Sequence, residues 1–199
     1  MTTETVSLDL FKQIPIFRGL SQDECQRLTD VVSVHDFAPG EIVIKQGEQS
    51  QRLLVLLEGK CEVFHHLDGE TCEKPGGDKA GSEKGPKAGA NGEPIVLATL
   101  DPFSNFGEMS FFHPAPHSAS VRAKTAVKLL AIERSKYDRL CERESSAACK
   151  LAMNTVASLA DRLRRMDEWV DELVSRGQAN QRVPEWNRLR ATLFDGWKL

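Results

Sequence analysis

The sequence is short of the features that mark an exported, membrane-spanning or metal-built protein. Its five cysteines, Cys25, Cys61, Cys72, Cys141 and Cys149, are odd in number and none sits at C-x-x-C spacing. That argues against a disulfide framework and against a zinc clip, and it fits a reducing cytoplasm. No apolar run approaches the roughly eighteen residues of a spanning helix. Met1 to Leu10 has neither the basic nor the apolar region of an export signal, so a cytoplasmic chain that enters no membrane is expected. The H-x-H that a cupin-type metal enzyme needs does not occur. His113 and His117 are four apart, but Pro114 and Pro116 forbid the regular helix that would place them on one face. His65 and His66 point to opposite faces of a strand. With no Ser-His-Asp or Cys-His set evident either, no enzyme activity and no metal are expected. Excess basic charge is also missing: 26 Lys and Arg against 29 Asp and Glu leave a net charge of -3, unsuited to gripping polyanions.

What is present fills one domain and an extension. Of 199 residues, 40% are hydrophobic, with nine Phe and three Trp, enough for one core. Leu8, Phe11, Ile14 and then Leu20, Cys25, Leu28, Val31, Val32 recur at helical spacing. Ser21 with Glu24 makes a capping box that starts a helix near Gln22. From Val34 to Phe64 the period falls to two, cut by Pro39-Gly40, Gly47-Glu48 and Glu58-Gly59, which predicts three or four short strands of a barrel or sandwich. Ile42 and Ile44 are expected to face one way and Val43 the other, and the run Leu53 to Leu57 suits a strand covered on both sides.

Asp68 to Glu93 holds seven of the fourteen glycines and no large apolar residue, which predicts a flexible insertion between two strands. Strands follow at Ile95 to Leu100, Ser118 to Lys124 and Ala126 to Ile132, with a Gly- and Pro-punctuated stretch from Asp101 to Pro116. From Ser145 to Arg176 the helical period returns, and Ala152, Val156, Leu159, Leu163, Met166, Val170 and Leu173 step by alternating fours and threes. That is a heptad seam, fitted to pairing with a second copy or to lying against the chain's own barrel; a homodimer through 145–176 is expected. Only 23 residues follow Arg176, a small aromatic extension too short for a winged helix-turn-helix, so no direct DNA binding is expected. The predicted division is 1–144, 145–176 and 177–199.

This order of elements resembles the cyclic nucleotide-binding domain of the bacterial catabolite activators and of the regulatory subunits of cyclic-AMP-dependent kinase. The resemblance covers residues 8 to 176. It rests on Phe37-Ala38-Pro39-Gly40-Glu41-Ile42-Val43-Ile44-Lys45-Gln46-Gly47-Glu48, Leu56-Leu57-Glu58-Gly59, Phe106-Gly107-Glu108-Met109-Ser110-Phe111 and Ser118-Ala119-Ser120-Val121-Arg122-Ala123-Lys124-Thr125. It implies a mainly β fold with flanking helices: a double-stranded β-helix, or jelly roll, with helices before it and a long helix after. It further implies a cyclic nucleotide as ligand, cyclic AMP or cyclic GMP, held by Phe106, Gly107, Glu108, Met109, Ser110, His117, Ser118 and Ala119. Gly107 lets the backbone approach a ligand, Glu108 can accept the ribose 2′-hydroxyl, and the short helix starting there aims free amides at a phosphate.

Two positions depart from the family pattern. His117 stands where the family has an Arg that pairs with the ring phosphate. An imidazole charged by the neighbouring phosphate would bind more tightly at acid pH; the bland reading is a solvated loop residue. On the long helix, Met166-Asp167 replace the Thr-Ser pair that bacterial activators turn toward adenine. Arg122 reads as a surface residue or ion-pair partner more than as a phosphate ligand. The function implied is regulatory, a sensor passing its signal through the long helix to an unknown protein partner; the alternative is a non-binding family member kept as a dimeric interaction module.

Overall fold

The computed structural model describes residues 8–65, 94–143 and 145–175; the expected loop at 68–93 and tail at 177–199 lie outside them. The chain divides into two compact units that part between Asn154 and Thr155. In the first, α1 (Leu8–Gln13) is followed by a 3-10 turn (Pro15–Phe17) and α2 (Gln22–Leu28). The capping box that begins α2 is in place: Glu24 N donates to Ser21 Oγ at 3.2 Å and Ser21 N to Glu24 Oε2 at 2.7 Å.

Among the described residues eight strands form next, β1 (Val32–Phe37), β2 (Ile42–Ile44), β3 (Arg52–Glu58), β4 (Cys61–His65), β5 (Ile95–Leu100), β6 (Asn105–Phe106), β7 (Ser120–Ala123) and β8 (Val127–Glu133). They make two four-stranded antiparallel sheets, β1-β8-β3-β6 and β2-β7-β4-β5, the mainly β roll with flanking helices that the resemblance implies. Alternation along β3 and β8 splits the core in two. Leu53, Val55, Leu130 and Ile132 join Phe11, Ile14, Phe17 and Leu28 of the helices. Leu54, Leu56, Leu129 and Ala131 meet Val43, Ile44, Cys61 and Val121 of the other sheet. The unbroken apolar run at Leu53 to Leu57 is thus covered on both faces, as expected.

Two local features depart from the sequence reading. In β2, Val43 and Ile44 are both buried while Ile42 is exposed, because the pairing with β7 shifts between Ile42 and Ile44 and breaks the alternation. A helix that the pattern did not announce, α4 (Arg134–Arg143), precedes α5 (Ser145–Ser175). The first turns of α5 belong to the first unit: Ala148 and Leu151 enter the helix-side core, and Asn154 Nδ2 donates to the carbonyls of Ile16 and Arg18 at 3.1 and 2.8 Å. In the second unit α5 continues with Val156, Leu163, Met166 and Trp169 exposed. The seam side chains of Val170 and Leu173 lie outside the described residues.

Candidate functional site

Phe106 ends β6 opposite Leu54 and buries its ring between the sheets. The chain then turns at Gly107, whose φ of 79° is left-handed, before α3 (Glu108–Phe112) begins. An added Cβ there would lie 2.5 Å from the carbonyl oxygen of Arg52, so a larger residue would force β3 away. The close approach delivers Glu108 to a buried position, 3% exposed, where Asn105 Nδ2 donates to its Oε2 at 3.5 Å. Ser110 and Phe111 turn inward as well, while Met109 points outward at 63% exposure.

Pro114 and Pro116 prevent α3 from continuing and lead the chain back to His117. That residue is not a solvated loop position: it is 7% exposed. Its N donates to Glu48 O at 3.0 Å and its carbonyl accepts from Gly47 N at 2.9 Å, so the turn after β2 and the segment after α3 are stitched together. Both ring nitrogens are engaged, Nε2 with Ser50 Oγ at 2.7 Å and Nδ1 with Ser110 Oγ at 3.1 Å. Burial lowers its pKa from 6.5, the Arg52 guanidinium lowers it further, and Glu48 opposes. The imidazole is therefore neutral at pH 7 and brings no fixed positive charge. Beside this network Ser50 lines a cleft of about 390 Å³ with Gln49, Gln51, Pro114 and Ala115. Ser118 is exposed and Ala119 half-buried.

Phe106, Glu108, Ser110 and His117 thus occupy buried positions and Gly107 a half-buried one, with Ser110 bonded to His117, while Met109 and Ser118 stay at the surface. Arg122 is an ion-pair partner: Nε and Nη2 donate to Glu62 Oε2 at 2.8 and 2.5 Å, and the guanidinium lies 5.0 Å from the centre of the Phe64 ring. Among the described residues no three His, Cys, Asp or Glu cluster to hold a metal ion, and no helix is long and apolar enough to cross a membrane. Ser50, Arg52 and Asn105 were missed by motif reading. The unbroken apolar run of β3 has no alternation that would single out Arg52, and nothing local in the sequence marks Ser50 as the partner of a histidine 67 positions away.

A family model described as the cyclic nucleotide-binding domain matches residues 85–144. The cyclic AMP receptor protein of Thermus thermophilus is 31% identical over 173 residues, 86% of this chain and 67% of that protein. A cAMP-dependent protein kinase regulatory subunit of Pyricularia oryzae is 28% identical over 132 residues, 66% of this chain; the chain spans only 27% of that subunit. Among solved structures, the Thermus thermophilus catabolite activator protein superposes with a TM-score of 0.61 at 29% identity, covering 80% of this chain and 63% of that one. With that receptor protein matched over 86% of this chain and 67% of its own length at 31% identity, the chain belongs to the cyclic nucleotide-binding domain family.

Proposed function

We propose that the chain is a regulatory module that binds a cyclic nucleotide, cyclic AMP or cyclic GMP, along residues 106–119. The observation that carries this reading is the left-handed Gly107 opening a short helix whose Glu108 is buried and whose Ser110 bonds to the buried His117. Glu108 accepts the ribose 2′-hydroxyl, the backbone of Phe106 to Ser110 approaches the sugar and phosphate, and Ser118 and Ala119 complete the contact from the far side of His117. No covalent chemistry is assigned to the module. Residues 1–144 act as the sensor, 145–176 as the coupling and dimerisation helix and 177–199 as an extension, in the cytoplasm. Ser146 and Lys150 of α5 are held by Glu24 and Asn154 by the 3-10 turn. A ligand that favours one packing of these turns passes its free energy into α5, and so to a protein partner. The exposed seam at Val156, Leu163 and Met166 supports a homodimer.

Calorimetric titration with cyclic AMP, cyclic GMP and a cyclic dinucleotide tests the reading; no heat and no thermal stabilisation with any of them overturns it. Glu108→Gln removes the preference for cyclic AMP over its 2′-deoxy analogue. Leu163→Arg shifts the sedimentation coefficient to that of a monomer. A second reading, an interaction module without ligand, is favoured by one observation, that both nitrogens of His117 are already taken by hydroxyls. It predicts that His117→Arg creates nucleotide affinity which the natural protein lacks.

A further inference from the structure

We infer that Arg52, and not the residue at position 117, supplies the positive charge for an anion bound in this site. The inference rests on the proposed nucleotide-binding reading and names the residue that reads the phosphate. Three observations place Arg52 there. Along β3, Leu53 and Val55 enter the helix-side core while Leu54 and Leu56 enter the core between the sheets, so Arg52 leaves the strand on the inter-sheet side. The backbone of Arg52 lies directly against Gly107. The pairing of β3 with β6 sets Leu54 opposite Phe106 and Val55 opposite Asn105, so Arg52 lies just past the end of that ladder, where the chain turns at Gly107 into the helix that begins with Glu108.

Its charge also reaches the imidazole of His117, which it holds in the neutral form together with burial. Among the described residues Arg52 makes no side-chain hydrogen bond and no ion pair; Glu133, opposite it on β8, is exposed and does not pair with it. A half-buried arginine without a carboxylate partner has its guanidinium donors open to an anion that arrives from outside. With Glu108 on one side and Arg52 on the other, the site has one acceptor for a sugar hydroxyl and one bidentate donor for a phosphodiester. The cation lost at position 117 is replaced from β3, on the far side of the same turn.

Titration of the full chain with cyclic AMP and with adenosine decides the matter. The wild type is expected to prefer cyclic AMP, with a salt-dependent affinity. Arg52→Gln, which keeps most of the aliphatic stem, loses about ten- to a hundred-fold for cyclic AMP and leaves adenosine unchanged. Arg52→Lys recovers part of the loss. Cyclic AMP affinity unaltered in Arg52→Gln, or equal affinity of the wild type for adenosine and cyclic AMP, overturns the role of Arg52 while nucleotide binding stands. A wild type that binds neither cyclic AMP nor cyclic GMP overturns the nucleotide reading itself. An equal loss for adenosine and cyclic AMP in both variants assigns Arg52 a merely structural role and refutes the inference.

Discussion

Replacing Glu24 by Gln loosens the junction between the helices before the roll and the helix after it. The Glu24 carboxylate accepts from Ser21 N at 2.7 Å, Ser146 Oγ at 2.8 Å and Lys150 Nζ at 2.7 and 3.0 Å. The Lys150 bond, the Ser21 amide and the Ser146 hydroxyl hold its pKa at about 2 instead of 4.5, against the cost of burial. At about 1.4 kcal/mol per pH unit that difference caps the contribution near 3.4 kcal/mol. Lys150 is 40% exposed, so solvent screening reduces it to about 1–2 kcal/mol. Because the folded-state pKa is depressed, this stability is fully present above pH 4.5 and drains away as the pH falls toward 2. Urea unfolding should therefore place Glu24→Gln about 1–2 kcal/mol below the wild type at pH 7, with the two curves converging toward pH 3. A gap of the same size at both pH values would refute the electrostatic account and leave only lost packing.

Three further outcomes follow from the same structure. Gly107→Ala must adopt a left-handed φ and meet the Arg52 carbonyl, so it should cost at least about 1–2 kcal/mol in urea unfolding; an unchanged midpoint refutes the close approach. Tyr137, the one tyrosine of the chain, donates to Ala148 O at 3.1 Å, and burial together with nearby Cys141 pushes its pKa to about 12. Its phenolate absorbance should rise with a midpoint near 12, and one near 10 would mean that the α4–α5 corner is open. Burial raises the Cys61 thiol to about 11 and also raises Cys25, whereas Cys141 and Cys149 are exposed. Alkylation at pH 8 followed by peptide mapping should label Cys141 and Cys149 well before Cys25 and Cys61.

Local rules served well wherever one segment contains the whole cause. The capping box at Ser21 and Glu24, the turn at Gly59 and the doubly covered run of β3 are each written in a few adjacent residues. The alternation expected of Ile42, Val43 and Ile44 failed because β2 takes its register from β7, nearly eighty residues further on. Helix α4 escaped notice because its apolar contribution to the core is two residues, Tyr137 and Leu140, too few to set up a period.

At the site the same division holds. Motif spacing carried the family, the turn at Gly107 and the candidate carboxylate at Glu108, since a left-handed glycine followed by an acid is a local backbone requirement. Sequence alone also raised the question of charge by putting a histidine at 117. Only the tertiary structure answered it, because the protonation of an imidazole depends on what surrounds it: Ser50 from the turn before β3, Ser110 from α3 and the guanidinium of Arg52. Patterns along a chain fix conformation through neighbours one turn away, whereas desolvation and Coulomb forces act through space among groups that the fold alone makes neighbours.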